Sequence, residues 1–306
     1  MSKQLLTVPL ELRWLGDKPM VAMARIEEEA LNRTFWEDCV RDARIEAIVA
    51  LDEARIDALD ARVCGQIFHM TRCGSTALLQ QFAALDGFQV LSEPMIFIEL
   101  LGRGSADRDL TRTRFLRLLS LFTIGLAPVA SRIVVKWPTL LCRYASLIHQ
   151  AIGDTPALFM HRNPVEVLAS IEARPLGKVD SIKPKWLSGP DGELSGSGNS
   201  QLSLVAQLLA VNCLWIAREP SVRTLDYARM PEAGWDQVAP YFGIALDDDQ
   251  RTRMVRAAQF DAKRQHQVFK GDSSAKQAQA SSQARQLAAD TIAPALAGAL
   301  SAMPSL

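Results

Sequence analysis

The sequence predicts an α/β fold, a parallel sheet flanked by helices on both faces. Three observations predict it. The chain of 306 residues has 48% hydrophobic and 22% charged residues, the composition of a globular protein large enough to bury a core without staples. From residue 66 onward, short apolar runs alternate with stretches of helical spacing, the signature of strand–helix–strand units. Four of the apolar runs stop at distinctive polar residues, as strands feeding ligand-binding turns do.

The elements follow in chain order. Residues 1–64 carry charged residues in helical spacing at 25–30 and 38–61 and no glycine between Gly16 and Gly65. The expectation is an extended start followed by a helical N-terminal extension packed on the core. The α/β domain then spans residues 65–306. Gln66–Met70 is a short strand, and Ala77–Ala83 begins a helix after the turn Thr71–Thr76. Phe88–Leu91 is a strand ending at Ser92-Glu93-Pro94, and Arg108–Leu126 has helical spacing. Arg132–Lys136 is a buried strand, and Leu140–Ala151 a helix. Ala157–His161 is a strand ending at Arg162-Asn163-Pro164, where Asn163 caps a helix that Pro164 opens. Residues 174–200, rich in Gly, Pro, Ser and Lys, read as a long loop or lid. Gln201–Arg218 is a helix, Val222–Leu225 a last strand, and the Ala/Gln-rich remainder a helical C-terminal tail broken near residues 269–274.

Composition also excludes classes. Lys plus Arg and Asp plus Glu number 34 each, so no basic field suits a nucleic-acid coat. Five scattered cysteines form no CxxC pair and no disulfide framework, which fits a reducing interior. No apolar run reaches the roughly 20 residues of a membrane span, and no secretory leader is evident. The expected location is the cytoplasm.

Ligands of such sheets collect at the carboxyl ends of the strands. Those ends carry Arg72-Cys73-Gly74-Ser75-Thr76, Glu93, Lys136 and Arg162. A strand, a tight turn with Gly74 and two hydroxyls, then a helix make an anion cradle, because N–H groups at a helix start are unpaired and the dipole there favours negative charge. Arg72 adds a charged fork. The same residues also read as an ordinary strand–turn–helix with Ser75 as its cap. The turn is not a Walker A motif, which places Lys directly before the hydroxyl residue. No strand ends in an acidic residue of the Walker B kind, and the residue six after Cys73 is Leu79, so a cysteine phosphatase does not fit either. No His/Cys/Asp set has metal-ligand spacing.

These segments resemble the 3′-phosphoadenosine 5′-phosphosulfate-dependent sulfotransferases. Phe68–Leu78 looks like their 5′-phosphosulfate loop, and Phe159–Ser170, with Ser170 eight residues after Arg162, like their 3′-phosphate segment. Leu91-Ser92-Glu93-Pro94 is similar to the segment of the catalytic glutamate in the carbohydrate and tyrosylprotein branches. Val135-Lys136-Trp137-Pro138 is similar to a strand-end Lys-x-Pro of the same branches. Order and spacing agree over roughly residues 65–230.

The resemblance implies a P-loop-NTPase-like sheet and sulfuryl transfer from that donor to a hydroxyl or amine. It implies that Arg72, Cys73, Gly74, Ser75 and Thr76 hold the phosphosulfate and that Arg162 and Ser170 hold the 3′-phosphate. Glu93 is then the general base, with Arg72 beside the transferring group, Lys136 close to that group or to Glu93, and no metal required. A nucleotide-dependent kinase and a non-catalytic nucleotide-binding protein of the same fold are the alternatives.

Several residues have plainer readings. Lys136 reads also as the structural partner of an acidic neighbour, and Cys73 as a small loop residue. His69 and His161 read as satisfied core or rim histidines. Arg103, Arg108, Arg112, Arg114 and Arg117 read as a solvated helix face, with an anionic acceptor as the alternative. Lys270, before Gly271, is only a faint match to a family donor ligand. Trp186 and lysines 178, 183 and 185 are candidate lid contacts to an acceptor, whose identity the sequence leaves open.

Overall fold

A computed structural model describes residues 4–56, 62–103, 105–176, 184–193, 200–261, 264–268 and 271–306. The lid candidates Lys178 and Lys183, the side chain of Lys185, and Lys270 lie outside the described residues.

The fold is α/β. Strands β4 (Val63–His69), β5 (Phe88–Ser92), β6 (Arg132–Lys136), β7 (Ala157–His161) and β10 (Arg223–Asp226) form one five-stranded parallel sheet in the order β10-β7-β4-β6-β5. The first of them in sequence is central, with Ile67 opposite Lys136 on one side and Leu158 on the other. Its neighbours connect outward to opposite edges of the sheet, so a crevice opens beyond its carboxyl end. This is a P-loop-like arrangement, strand to tight turn to helix α2 (Ser75–Ala83). β7 is buried along its whole length, as expected of a strand covered on both faces.

Helices cover both sides. α2 packs with α9 (Asp248–Ala258), and Phe82 meets Phe242 just after the short α8 (Ala239–Tyr241). On the other side lie α4 (Arg108–Leu126), α5 (Ala145–Ile152), α6 (Pro164–Ala173) and α7 (Gln201–Ile216). Asn163 Oδ1 accepts from Val165 N and Pro164 opens α6, as its sequence predicts. The tail is helical in α10 (Ser273–Gln279), α11 (Ser282–Leu287) and α12 (Ala293–Ala302). It is preceded by a small ladder of β11 (Phe260–Asp261) and β12 (Arg264–Val268), and a second ladder joins β8 (Ser188–Gly189) to β9 (Gly192–Glu193).

The N-terminal segment departs from expectation. Residues 5–50 form a three-stranded antiparallel sheet of β1 (Leu5–Leu15), β2 (Lys18–Glu27) and β3 (Arg44–Ala50), with only the short helix α1 (Trp36–Val40) and 3-10 turns between and after them. The overriding signal is a two-residue turn, Gly16-Asp17, which joins Leu15 to its partner Lys18 and has Gly16 at φ +61°. Such turns need positive φ and lock a hairpin. Leu6, Val8 and Leu12 face the core, and a register shift at Pro9/Glu11 interrupts the strict alternation. Of the charges read as helically spaced, Arg25 and Glu27 lie on β2 and Arg44 and Glu46 on β3, Asp38 lies in α1, and residues 57–61 lie outside the described residues.

The expected solvated arginine face of α4 is partly a seam. Arg114 grips Asp52 through Nε and Nη2, both at 2.7 Å, and Arg117 approaches the same carboxylate at 3.9 Å. Arg114 holds the Asp52 carboxyl below the usual range. Arg103 stacks on Trp14 at 4.5 Å, while Arg108 and Arg112, the latter paired with Asp109, are exposed charges of the expected kind. Trp36 packs edge-on to Phe122 at 4.9 Å, which ties α1 to the same helix. Among the described residues, no helix is long and apolar enough to cross a membrane.

Candidate active site

The carboxyl ends of β4, β5 and β7 open into one cavity of about 390 Å³. Arg72, Gly74, Ser75, Thr76, Glu93, Arg162 and Ser170 all line it. Its volume falls within the roughly 300–1,000 Å³ common for small-molecule sites.

The turn after β4 is tightly packed at Gly74. Gly74 is the N-cap of α2 at φ +87°, and a side-chain carbon there would sit 2.4 Å from the Tyr227 ring. Only glycine combines that dihedral with that contact. Ser75 and Thr76 then offer first-turn amides and hydroxyls. Arg72 adopts φ +60° and donates from Nη2 to Arg174 O at 3.0 Å. Its Nε is buried without a hydrogen-bond partner among the described residues, an unsatisfied donor on a cavity-lining guanidinium.

Glu93 follows β5 directly at φ +54°. Pro94 bars the right-handed helical region to it, and a left-handed glutamate costs about 1–2 kcal/mol. Among the described residues, Arg72 and Glu93 are the two non-glycine positions with positive φ. Strain of this kind gathers at functional sites. The Glu93 N–H bonds Lys136 O at 2.8 Å, which extends the β5–β6 ladder by one step and fixes the carboxylate's base.

Lys136 is wholly buried and lies behind the cavity rather than on its surface. Its Nζ reaches Glu93 Oε1 at 2.6 Å and Thr76 Oγ1 at 3.0 Å, and sits 5.3 Å from the Phe35 ring centre. Lys136 thus pairs with an acid, and that acid is Glu93. Trp137, the middle residue of the Lys-x-Pro segment, points into the core, where Nε1 donates to Gln66 Oε1 at 3.1 Å and the ring meets Phe97 and Phe115.

Arg162 is 4% exposed and heavily engaged. Nε donates to Glu166 Oε2 at 2.6 Å, and Nη2 to Asp272 Oδ1 at 2.8 Å and Ser273 Oγ at 3.1 Å. Its guanidinium lies 4.0 Å from the Tyr227 ring centre. Tyr227 therefore touches both the Gly74 turn and Arg162. Ser170, further along α6, lines the same cavity.

Cys73 is the candidate displaced by the structure. The residue is fully buried in the core and absent from the cavity wall. Burial pushes its thiol up to about 11, which removes thiolate character. Trp186 likewise lies away from the cavity, buried beside Arg143 and Tyr144.

Four contributors escaped the sequence reading. Tyr227 had a signal, since it follows a strand end. His69 does line the cavity: it is 2% exposed, with Nε2 3.5 Å from Glu93 Oε1, and burial holds it down to about 4 against the pull of Glu93. Asp272 and Glu37 gave no local signal. Glu37 Oε1 accepts from Met95 N at 2.7 Å, and burial, with Glu93 facing it, raises its pKa.

No protein-family model and no curated protein matches the chain. Among solved structures it is similar to the sulfotransferase domain from the curacin biosynthetic pathway, at 11% identity and TM-score 0.45 over 74% of this chain and 96% of that one. It is similar to a sulfotransferase from Mycobacterium avium at 10% identity and TM-score 0.42, over 75% of this chain and 76% of that one. A sulfotransferase from Mycobacterium tuberculosis H37Rv matches at 14% identity and TM-score 0.41, over 65% and 72%. Identities of 10–14% and TM-scores of 0.41–0.45 carry no function from these proteins to this chain.

Proposed function

We propose that the chain is a sulfotransferase that moves a sulfuryl group from 3′-phosphoadenosine 5′-phosphosulfate to a hydroxyl or amine, with Glu93 as general base. One observation carries the reading: a single cavity is lined by the Arg72–Thr76 turn, by Arg162 with Ser170, and by Glu93. A donor with negative charge at two ends needs two cationic sites within one molecule's reach. A poor nucleophile needs a base between them.

The division of labour follows from the contacts. The helix-start amides and Arg72 stabilise the charge that grows on the departing 5′-phosphate. That leaving group requires no proton. Glu93 removes the acceptor's proton as its oxygen or nitrogen bonds to sulfur. Lys136 holds Glu93 in place and couples it to Thr76 in the donor turn. Arg162 and Ser170 take the 3′-phosphate.

Calorimetric titration tests this. The protein is expected to bind 3′-phosphoadenosine 5′-phosphate and to ignore ATP with magnesium; the reverse result favours a kinase and would overturn the proposal.

The ion pairs around Arg162 lead to a second expectation. Asp272 and Glu166 already neutralise Arg162, and Lys276 Nζ is held by Asp272 at 2.7 Å. A 3′-phosphate must compete with the Asp272 carboxylate for the same donors. Asp272→Asn is therefore expected to tighten 3′-phosphoadenosine 5′-phosphate binding about tenfold, roughly 1.4 kcal/mol, with a steeper loss of affinity as salt rises. Titrations at several salt concentrations check both parts.

A further inference from the structure

We propose that His69 is a positioning residue that sets the proton affinity of Glu93, its Nε2 accepting a hydrogen bond from the carboxyl once that group has taken a proton. The inference rests on Glu93 being the base, and it deepens that reading by saying what receives the base in its protonated form.

The tautomer follows from partners. His69 Nδ1 lies 3.1 Å from Met70 O and 3.4 Å from Thr139 Oγ1. A carbonyl oxygen only accepts, so Nδ1 carries the hydrogen, and the threonine oxygen is able to accept from it too. In the neutral ring, Nε2 is then a bare lone pair. It is buried, faces Glu93 Oε1 at 3.5 Å, and has no hydrogen-bond partner among the described residues. A buried unsatisfied acceptor in a native site calls for a physical account.

The account is that Nε2 is satisfied in one protonation state of Glu93. Against an ionised carboxylate, two lone pairs face each other, and the contact stays longer than a formed hydrogen bond. When the acceptor's X–H bond breaks, its electron pair goes to the new bond with sulfur and its proton goes to Glu93 Oε1. Oε1–H then donates to Nε2, while Oε1 still accepts from Lys136 Nζ, now 2.6 Å away. No further reactant is needed, and the proton later leaves to solvent through the cavity. Catalytic hydrogen bonds are often long before substrate arrives and close during reaction.

The surrounding charges are few. Lys136 faces both His69 and Glu93 and favours the ionised carboxylate; Arg72 faces Glu93 with the same sign. Glu37 of α1 faces Glu93 with the opposite sign. The Cys142 thiol, on the turn after β6, contacts the His69 backbone and is buried and neutral. None of these groups supplies a hydrogen to Nε2.

NMR on the full chain tests the proposal without donor or acceptor. The chain has 4 histidines, so ring-nitrogen spectra are resolvable. His69 is expected in the Nδ1–H tautomer at neutral pH, with its Nε2 resonance shifting as Glu93 titrates. An Nε2–H tautomer, or an imidazolium at neutral pH, would overturn the proposal.

In His69→Phe, the Glu93 midpoint, read from carboxyl-carbon resonances, is expected to fall by about one pH unit, the size of one hydrogen bond. The acidic limb of the pH–rate profile should move with it. An unchanged or raised midpoint counts against the role. Should that variant not fold, replacing His149, His161 and His266 in turn identifies the His69 signals by elimination, and the tautomer alone decides. Failure to bind 3′-phosphoadenosine 5′-phosphate would sink the sulfotransferase reading while leaving these resonances as they are, so the two failures are separable.

Discussion

Glu93→Gln lowers sulfuryl transfer by a factor of about 10²–10⁴ and leaves affinity for 3′-phosphoadenosine 5′-phosphate nearly unchanged. Glutamine keeps an oxygen where Lys136 Nζ now finds Oε1 at 2.6 Å, so the buried ammonium retains a hydrogen-bond partner. It has no basic lone pair for the acceptor's proton. Glu93→Ala behaves differently. It strips the wholly buried Lys136 of its carboxylate, and breaking a buried pair from one side costs about 3–5 kcal/mol. The pair of variants therefore separates chemistry from folding. Glutamine loses rate with the smaller fall in melting temperature, and alanine loses rate with the larger one. Transfer is measured with radiolabelled donor on an acceptor found by screening, and affinity by calorimetry. A glutamine variant that transfers at the wild-type rate removes Glu93 from the mechanism.

Gly74→Ala weakens 3′-phosphoadenosine 5′-phosphate binding by about 10²-fold or more, the largest binding effect expected of a single methyl group in this molecule. Two costs combine. The φ of +87° lies where side chains with a Cβ are strained, and that Cβ would sit 2.4 Å from Tyr227 Cδ2. Relief requires the Tyr227 ring to move, and that ring supports Arg162 at 4.0 Å. One substitution thus disturbs both anion sites. Gly74→Asn apportions the costs, because asparagine tolerates left-handed backbone yet carries the same Cβ. If asparagine is as damaging as alanine, the clash dominates; if it is milder, the backbone does. Affinity equal to wild type in both variants would show that the turn does not hold the donor.

Much of the α/β core was legible because its signals are local. β7 reads as an unbroken apolar run, Asn163-Pro164 announces a helix start, and the Arg72–Thr76 turn joins a strand to a helix. The N-terminal sheet was misread although it too has a local signal, the Gly16-Asp17 turn. The extended start matches β1; the misreading concerns the charges at 25–30 and 38–61, some of which fall on β2 and β3, where a register shift between Met23 and Ala24 blurs the two-residue alternation. Cys73 enters the expected donor-binding set because it stands between Arg72 and Gly74 in the sequence. The positive φ at Arg72 and Gly74, on either side of it, is a property of the folded backbone that residue identity alone does not report.

Residue order alone determined which polar groups stand at strand ends: Arg72 and the turn after it, Glu93, Lys136 and Arg162. Parallel strands bring such ends to one edge of the sheet whatever the intervening helices contain. Tertiary structure alone decided what those groups face. Lys136 turned inward to Glu93, Asp272 came back from 110 residues further along the chain to meet Arg162, and His69 set its Nε2 3.5 Å from the Glu93 carboxylate. The reason is physical. Strand direction follows from local backbone preference and apolar pattern. Pairing between side chains distant in sequence depends on how whole layers pack, and no window of neighbouring residues contains that information.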